Sequence, residues 1–354
     1  EPEADLPEQW SQAGAGMTAT PTELVEWWTV FGDPVLDRLI LTAYEQNYSL
    51  EVAGLRVLEA RAQLGIAVGN QYPQLQRGRG GVTRVSGSES GANTAAGDLN
   101  YWQYDLAADV SWEMDFWGRF RRGIESADAA YLASIAAYDQ ARVLLTAAVV
   151  DVYTIVRLTE RQLQIAEENV AIQQRSYEIA EVLYRNGADS ELDMQQASTL
   201  LLSTQATIPG LQVALAQARN ALSTLLGEPP GTVEARLTEG AGLPVLPDDI
   251  AVGIPADLLR RRPDVRQAEY LAMAQNARVG LAQADLYPSF SLSGSIGVSS
   301  NTLGDSDFGD LFSSDALTWS IGPSFVWPFL NYGRIKNNVR GQDARLQQAL
   351  VNYH

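Results

Sequence analysis

Carboxylates are the most abundant ionisable side chains of this chain. The Cys and His side chains that often act with carboxylates in catalytic and metal sites are nearly missing. The 354 residues include 43 Asp and Glu against 25 Lys and Arg, a net charge of −18, with no Cys and a single His, His354. With no Cys and the only His at position 354, we expect neither a Ser-His-Asp triad nor a Cys/His zinc site. The scattered carboxylates form no constellation with a nucleophile or a cofactor loop, so we expect neither enzyme activity nor a cofactor. The negative charge also argues against nucleic acid as a partner.

Four acidic residues share a regular spacing. They are Asp105, Asp109, Glu113 and Asp115. All four occupy odd positions of a segment whose even positions, 102 to 114, are apolar. This alternation predicts a β-strand with one apolar and one polar face. The acids would line a water-filled lumen and favour cations, or they would belong to an ordinary solvated face.

Two further segments, at about 290–299 and 317–329, alternate in the same way. A fourth strand at about 71–86 alternates poorly and is predicted from its partner strand and from the repeat. Polar loops rich in Gly, Ser, Asn and Asp join the strands into two hairpins. Tryptophans recur on the apolar positions of these strands, where they would face lipid or fill the core of a β-sandwich. They are Trp102, Trp112, Trp319 and Trp327.

The two hairpins are copies of one another. Tyr72-Pro73 and Tyr287-Pro288 lie 215 positions apart. The same offset relates several further pairs: Trp112 with Trp327, Gly118-Arg119 with Gly333-Arg334, and Tyr138 with Tyr353. A constant offset across strands and flanking helices indicates an internal duplication. Trp117 and Tyr332 occupy equivalent positions where a strand meets a helix, which suits an interfacial aromatic belt or ordinary packing.

Long helices flank the strands. Apolar residues spaced three and four apart predict a coiled-coil helix over 118–186 and a second helix over 190–226 that folds back on it. Gly187 should end the first helix, and Ser190 with Asp193 should begin the second in a capping box. The polar tip of this helical hairpin consists of Arg185, Asn186, Gly187, Asp189, Ser190 and Asp193.

Four strands cannot close a membrane barrel, because the smallest transmembrane barrels use about eight. An apolar sheet face with open edges would aggregate unless other chains complete it. Three copies of the chain would supply twelve strands. The elements therefore predict a long helical rod with a sheet at one end, completed by further copies.

Motifs along nearly the whole chain then point to a family. They are Trp27-Trp28 with Phe31–Leu36, Trp112–Arg119, Leu226–Pro230, Ile254–Leu259 with Arg261–Val265, and Asn276–Gly280 with Tyr287-Pro288. Together they resemble the TolC/OprM family of outer-membrane efflux proteins, and in particular the OprM-like lipoproteins of RND-type tripartite pumps. The charged Arg260–Asp264 segment is also explained as ordinary helix initiation at Pro263.

The resemblance implies an α+β membrane protein with four strands per chain in a trimeric, twelve-stranded outer-membrane barrel, continued by a long antiparallel α-helical periplasmic tunnel. It implies a homotrimer in the outer-membrane lipid of a Gram-negative bacterium. It further implies a passive multidrug exit duct that works with a periplasmic adaptor and an inner-membrane RND-type transporter. The hairpin tip would dock the adaptor, although Gly187 and Ser190 are also explained as helix caps.

The expected domains follow from these elements. Peripheral segments lie at 1–48 and 227–254, barrel hairpins at 71–116 and 287–330, and the helical tunnel domain at 49–70, 117–226, 255–286 and 331–354. The first repeat continues to Gly227 whereas the second stops at His354, so the second repeat is expected to be truncated and no gate residue is assigned. The acyl-bearing Cys of the lipoprotein branch is missing, so no lipid anchor is assigned either.

Two other functions remain open. A duct for type I protein secretion would share the same fold. A soluble structural coiled-coil or adaptor-like protein is the other alternative, and the duplicated tryptophan-bearing strands argue against it.

Overall fold

The computed structural model describes residues 17–18, 26–87, 100–238, 242–244, 250–251, 261–302 and 306–354. The motif at 254–259 and most of the loop predicted between the first two strands lie outside these residues. The chain forms two compact units, one of residues 1–56 with 136–265 and the other of residues 57–135 with 266–354. Within the described residues, no helix combines the length and hydropathy that a membrane span requires.

The first unit is mainly helical. Its helices are α1 (Pro34–Gln46), the start of α2 (Tyr48–Gly69), most of α3 (Arg119–Arg185), α4 (Glu191–Leu225) and α5 (Val233–Leu237). Two short strands, β1 (Met17–Thr18) and β4 (Ile250–Ala251), pair in parallel. The long helices predicted at 118–186 and 190–226 are confirmed by α3 and α4.

The core of this unit is mainly aliphatic. Leu36 and Ile40 of α1 are fully buried in one cluster with Val149 of α3 and Leu222 of α4. Each such side chain stabilises the fold by about 1.5–3 kcal/mol through burial. Helix α1 begins at Pro34 because the preceding Asp33 caps it, accepting hydrogen bonds from two backbone N–H groups at 2.9 and 3.3 Å.

A buried polar cluster fastens α1 to α3 and α5. The Tyr153 hydroxyl donates to the Asp33 carboxylate at 2.5 Å and accepts from Arg157 Nε at 3.1 Å. Arg157 also donates to the Leu237 carbonyl at 2.9 Å and to Glu160 at 3.0 Å. Burial and the hydrogen bond to Asp33 raise the pKa of Tyr153 to about 12. Every charge in this cluster has a partner, as buried polar groups require.

The second unit combines helices with a four-stranded sheet. It contains β2 (Leu75–Ser86), β3 (Asn100–Met114), α6 (Pro263–Ala284), β5 (Ser289–Asn301), β6 (Leu317–Val326) and α7 (Arg334–Tyr353), with parts of α2 and α3. The strands lie in the order β2-β3-β5-β6, and all neighbours are antiparallel. Each hairpin predicted from the sequence is therefore present, and the two hairpins join through β3 and β5.

Two strands are shorter than predicted. Strand β6 ends at Val326, so Trp327 and Phe329 follow the strand rather than extend it. Pro328 stands between them and cannot donate to a ladder. Strand β2 begins at Leu75 instead of position 71, because residues 70–74 form the turn that follows α2.

Candidate functional site

The sheet has two chemically distinct faces. In β3 the odd positions share one face with the serines of β5, as Asp109 opposite Ser295 and Ser111 opposite Ser293 show. The hydroxyl oxygens of Ser111 and Ser293 lie 2.9 Å apart, as do those of Ser295 and Ser320. One face of the sheet is therefore a ladder of small hydroxyl groups with a few charges, and this surface is termed the polar face.

Three of the four predicted acids lie on the polar face, and arginines accompany them. Asp109 accepts from Arg77 Nε at 3.0 Å and from Arg79 Nε at 3.1 Å, and Arg79 Nη1 lies 3.9 Å from Asp105. Glu113 pairs with Arg119 of α3 at 3.2 Å. Arg77 and Arg79 belong to β2, whose alternation is poor. Because these pairs balance much of the acidic charge, the polar face is less cation-favouring than its aspartates alone predict.

Asp115 is a correction to the prediction. It follows the end of β3 and does not belong to the polar face of the strand. Its two carboxylate oxygens accept from the backbone N–H groups of Phe120 and Arg121 at 3.1 and 2.9 Å. Such N–H groups in the first turn of a helix have no partner within the helix itself, and a carboxylate also stabilises the positive end of the helix dipole. Asp115 therefore caps α3.

The opposite face of the sheet is apolar and exposed. Trp102 and Trp112 of β3 lie on it, as does Trp319 of β6, and each is exposed in the single chain. Large aliphatic and aromatic side chains continue this surface. They include Leu106, Val110, Ile296, Ile321 and Phe325. An exposed apolar patch of this extent is typical of a membrane or protein contact surface.

The tryptophans at the ends of the strands repeat one contact. Trp112 Nε1 donates to the Gln71 carbonyl at 3.1 Å, and Trp327 Nε1 donates to the Leu286 carbonyl at 3.2 Å. Both donors and both acceptors are related by the 215-residue offset. The duplication is therefore present in the tertiary contacts as well as in the sequence.

The other equivalent aromatic pair is unequal. Trp117 stacks on Tyr287 with ring centroids 4.6 Å apart and donates to the Pro288 carbonyl at 2.8 Å. Tyr332 is 96% exposed and has a φ of 48°, in the left-handed region that bulky residues rarely adopt. Trp117 thus packs against Tyr287 and is still 46% exposed, while Tyr332 projects away from the chain. The interfacial aromatic belt stays a prediction.

The helical hairpin tip has the predicted caps at Gly187 and Ser190, but only half of the predicted capping box, because the Ser190 N–H donates to Asp189 instead of Asp193. Gly187, with a φ of 69°, ends α3, and the Ala188 N–H donates to the Leu183 carbonyl at 2.9 Å. At the start of α4 the Ser190 hydroxyl accepts from the Asp193 N–H at 3.2 Å and donates to the Asp193 carboxylate at 2.5 Å. The hydrogen bond from Ser190 lowers the pKa of Asp193 below its usual range.

The remaining tip residues also make local contacts. Arg185 pairs with Glu181 at 2.7 Å, Asn186 donates to the Val182 carbonyl at 2.7 Å, and Asp189 accepts from the Ser190 N–H at 2.9 Å. All six tip residues are exposed. The tip is therefore a polar and accessible turn whose residues are held by local hydrogen bonds.

A second apolar stripe on α3 was not predicted. Leu158, Ile165, Ile172 and Ile179 are all exposed, and they follow one another at intervals of seven residues. A heptad interval keeps side chains on one face of a helix that packs against another helix. The signal is visible in the sequence, but the buried stripe of α3 is longer and masks it.

The described residues contain no group of His, Asp and Glu placed to hold a metal ion. The charges of the polar face are instead engaged with one another.

Comparison with known proteins identifies the family. The family model described as outer membrane efflux protein matches residues 39–228 and 254–354. The chain is 32% identical over 359 residues to nodulation protein T of Rhizobium leguminosarum bv. trifolii, covering 99% of this chain and 72% of that protein. It is 33% identical to the cation efflux system protein CusC of Escherichia coli K12, covering 99% of this chain and 74% of that protein.

Solved structures agree with these matches. The outer-membrane channel OprN superposes with a TM-score of 0.87 at 34% identity, covering 96% of this chain and 74% of that chain. The structure of CusC superposes with a TM-score of 0.78 at 32% identity, covering 99% of this chain and 78% of that chain. The chain belongs to the family of outer membrane efflux proteins, whose members are bacterial outer-membrane channels.

Proposed function

We propose that this outer-membrane efflux channel is the passive exit duct of a tripartite pump for small molecules. The two-faced sheet carries the proposal, since its apolar face bears Trp102, Trp112 and Trp319 and its other face is lined by serine hydroxyls. A sheet that meets lipid on one side and water on the other is the unit of a membrane barrel. The chain supplies four such strands, so three copies in a homotrimer would close the barrel.

The chemistry of the polar face favours passage over capture. Hydroxyl groups of Ser111, Ser293 and Ser295 bond to neighbouring hydroxyls, and Asp109 is paired with arginines. A wall whose polar groups already have partners holds a passing solute weakly. We therefore propose that the duct discriminates little among small polar and amphiphilic solutes, and that an inner-membrane transporter supplies the energy and the selection. No catalytic step is assigned to the chain.

We propose the same division of labour for the domains expected from the sequence. The hairpins at 71–116 and 287–330 form the barrel, and the segments at 49–70, 117–226, 255–286 and 331–354 form the periplasmic tunnel. The segments at 1–48 and 227–254 are peripheral. The stripe from Leu158 to Ile179 is proposed to pack against a neighbouring copy, because an exposed heptad of aliphatic residues needs a helical partner.

The hairpin tip is proposed to dock a periplasmic adaptor protein. Its polar turn is exposed and held by its own caps, so it can present the ends of α3 and α4 to another pair of helices. Asp189→Arg should weaken docking, and Glu167→Arg on the exposed side of α3 is the matched charge reversal. Copurification of the adaptor should fall for the first variant alone. Equal copurification with both variants would place the docking surface elsewhere.

Deletion and complementation test the efflux role. A strain that lacks the gene should become sensitive to dyes and detergents, and the intact gene should restore resistance. Unchanged sensitivity together with loss of one secreted protein would instead indicate a type I secretion duct. If neither property changes while the protein is soluble without detergent, the efflux role is wrong.

A further inference from the structure

The two repeats of the chain meet within the sheet at one strand pairing, which is termed the joint. Strand β3 of the first repeat pairs with β5 of the second, with Asp105 opposite Ser299 and Trp112 opposite Leu292. The duplication makes β6 the equivalent of β3 and β2 the equivalent of β5. Among the described strands, β2 and β6 are the two at the edges, and each pairs on one side only. The same joint can therefore form again between β6 of one copy and β2 of a second copy.

Two exposed tyrosines are the equivalents of the aromatic contact at the existing joint. Trp117, which stacks on Tyr287 and donates to the Pro288 carbonyl, corresponds to Tyr332, and Tyr287 corresponds to Tyr72. Tyr332 and Tyr72 are 96% and 64% exposed, and neither has a ring partner among the described residues. We propose that Tyr332 of one copy stacks on Tyr72 of the next and fixes the joint between chains.

The register of this joint follows from the two hairpins, which differ by one residue. Ser111 pairs with Leu75, whereas its equivalent Val326 pairs with Ser289, the counterpart of Gln74. Gln74 accommodates the displacement, because its side-chain amide accepts from the Glu113 N–H at 2.7 Å and donates to the Glu113 carbonyl at 3.2 Å. Strand β2 is therefore shifted by one position relative to β5.

This shift decides which residues meet across the joint. At the existing joint Asp105 lies opposite Ser299. The equivalent pair between copies is Ser320, the counterpart of Asp105, opposite Val85, the counterpart of Ser299 after the one-residue shift. Ser320 and Val85 both lie on the polar face. Without the shift Ser320 would meet Arg84, which lies on the apolar face over Trp102. A slip of one residue exchanges the two faces of a strand, so the shifted register continues both surfaces from copy to copy and the unshifted register does not.

The partner at the free edges of β2 and β6 is a second copy of this chain, because the chain itself carries the equivalents of both strands that pair at the existing joint. The joint rests on the proposed function, since a closed ring of copies is what a duct requires. The register and the tyrosine pair go further and name the residues that meet. The natural absence of cysteine allows a direct test by disulfide formation, without background thiols.

The test compares two double-cysteine variants in isolated membranes. In Ser320→Cys with Val85→Cys, oxidation should convert most of the monomer into covalent multimers ending at a trimer on a non-reducing denaturing gel. Ser320→Cys with Arg84→Cys should remain monomeric, because its thiols lie on opposite faces. Neither pair can close within one chain, since β2 and β6 are three strand spacings, about 14 Å, apart. Cross-linking of the Arg84 pair alone, or of neither pair in a protein that is trimeric by mass, would overturn the register.

The tyrosine contact has its own variants. Tyr332→Ala and Tyr72→Ala should each lower the fraction of trimer that survives detergent. The double variant should lower this fraction no further than the single variant with the larger effect, because both residues act through one contact. Tyr48→Ala removes a tyrosine that is 70% exposed on α2 and should leave this fraction unchanged. If Tyr332→Ala acts while Tyr72→Ala does not, Tyr332 meets lipid or another group and the stacking is wrong.

Complementation separates the joint from the function. If the Ser320–Val85 variant restores resistance under reducing conditions but forms no cross-link on oxidation, the joint is wrong and the efflux role stands. If cross-linked trimers form but the reduced variant and the unmodified chain both fail to restore resistance, the joint stands and the efflux role is wrong.

Discussion

Arg79 on the polar face provides a test of which surface of the sheet faces water. Arg79 Nε lies 3.1 Å from Asp109, and its side chain is 54% exposed. An ion pair this exposed contributes at most about 1 kcal/mol to stability, so Arg79→Gln should fold normally. The same substitution leaves Asp105 and Asp109 less neutralised. A unit charge about 4 Å from a permeating ion acts on it with about 1 kcal/mol in water, which changes its local concentration about fivefold.

The assay is the reversal potential of single channels in a planar bilayer under a KCl gradient. Arg79→Gln should raise the local cation concentration about fivefold and lower the local anion concentration by the same factor. The ratio of cation to anion permeability should therefore rise by up to about 25-fold, with a smaller effect at high salt because screening shortens the interaction. Arg84→Gln is the matched control, since Arg84 lies on the same strand but on the apolar face, 5.4 Å from the Trp102 ring. Equal shifts for the two variants, or a shift for Arg84→Gln alone, would refute the assignment of the faces.

Three further predictions follow from named contacts. Tyr153→Phe should destabilise the fold by about 1–3 kcal/mol in denaturant unfolding, because Asp33 and Arg157 lose a buried partner. Because folding raises the pKa of Tyr153 from 10.0 to about 12, its contribution is complete below pH 10 and declines between pH 10 and 12. If the stability of Tyr153→Phe declined in the same way between pH 10 and 12, the Tyr153 hydroxyl would not be the cause of the decline. Asp115→Ala should cost about 1 kcal/mol as a lost helix cap and leave ion selectivity unchanged. A change in selectivity at unaltered stability would return Asp115 to the lumen. Ile172→Ser should lower the trimer fraction in sedimentation without altering monomer secondary structure, and an unchanged trimer fraction would show that the exposed stripe has no partner chain.

Alternation and duplication together predicted most of the sheet. Period-two spacing located β3, β5 and β6, and the 215-residue offset indicated β2, whose own alternation is poor. The ends of the strands were harder to place. Asp115 fits the odd positions of β3 in the sequence, but the backbone has already left the sheet there to begin α3. A parity rule cannot detect where a strand stops, because it records side-chain type and not backbone direction.

The register between neighbouring strands could not be predicted from periodicity. The balance of Asp109 by Arg77 and Arg79 depends on the alignment of β2 with β3, which periodicity leaves open. The one-residue displacement of β2 is likewise invisible in a constant sequence offset. The ends of the helical hairpin were predicted well, since Gly187 and the Ser190 cap are local signals that need no tertiary context. The reciprocal half of the capping box was wrong, because the Ser190 N–H donates to Asp189.

Native mass spectrometry of the protein extracted from membranes with detergent tests the central claim most directly, because it reports chain mass and copy number together. A complex of three identical chains is the expected result for an outer-membrane duct. A monomer of 38.5 kDa that is soluble without detergent would contradict it, because the exposed apolar face of the sheet would then meet neither lipid nor a second copy.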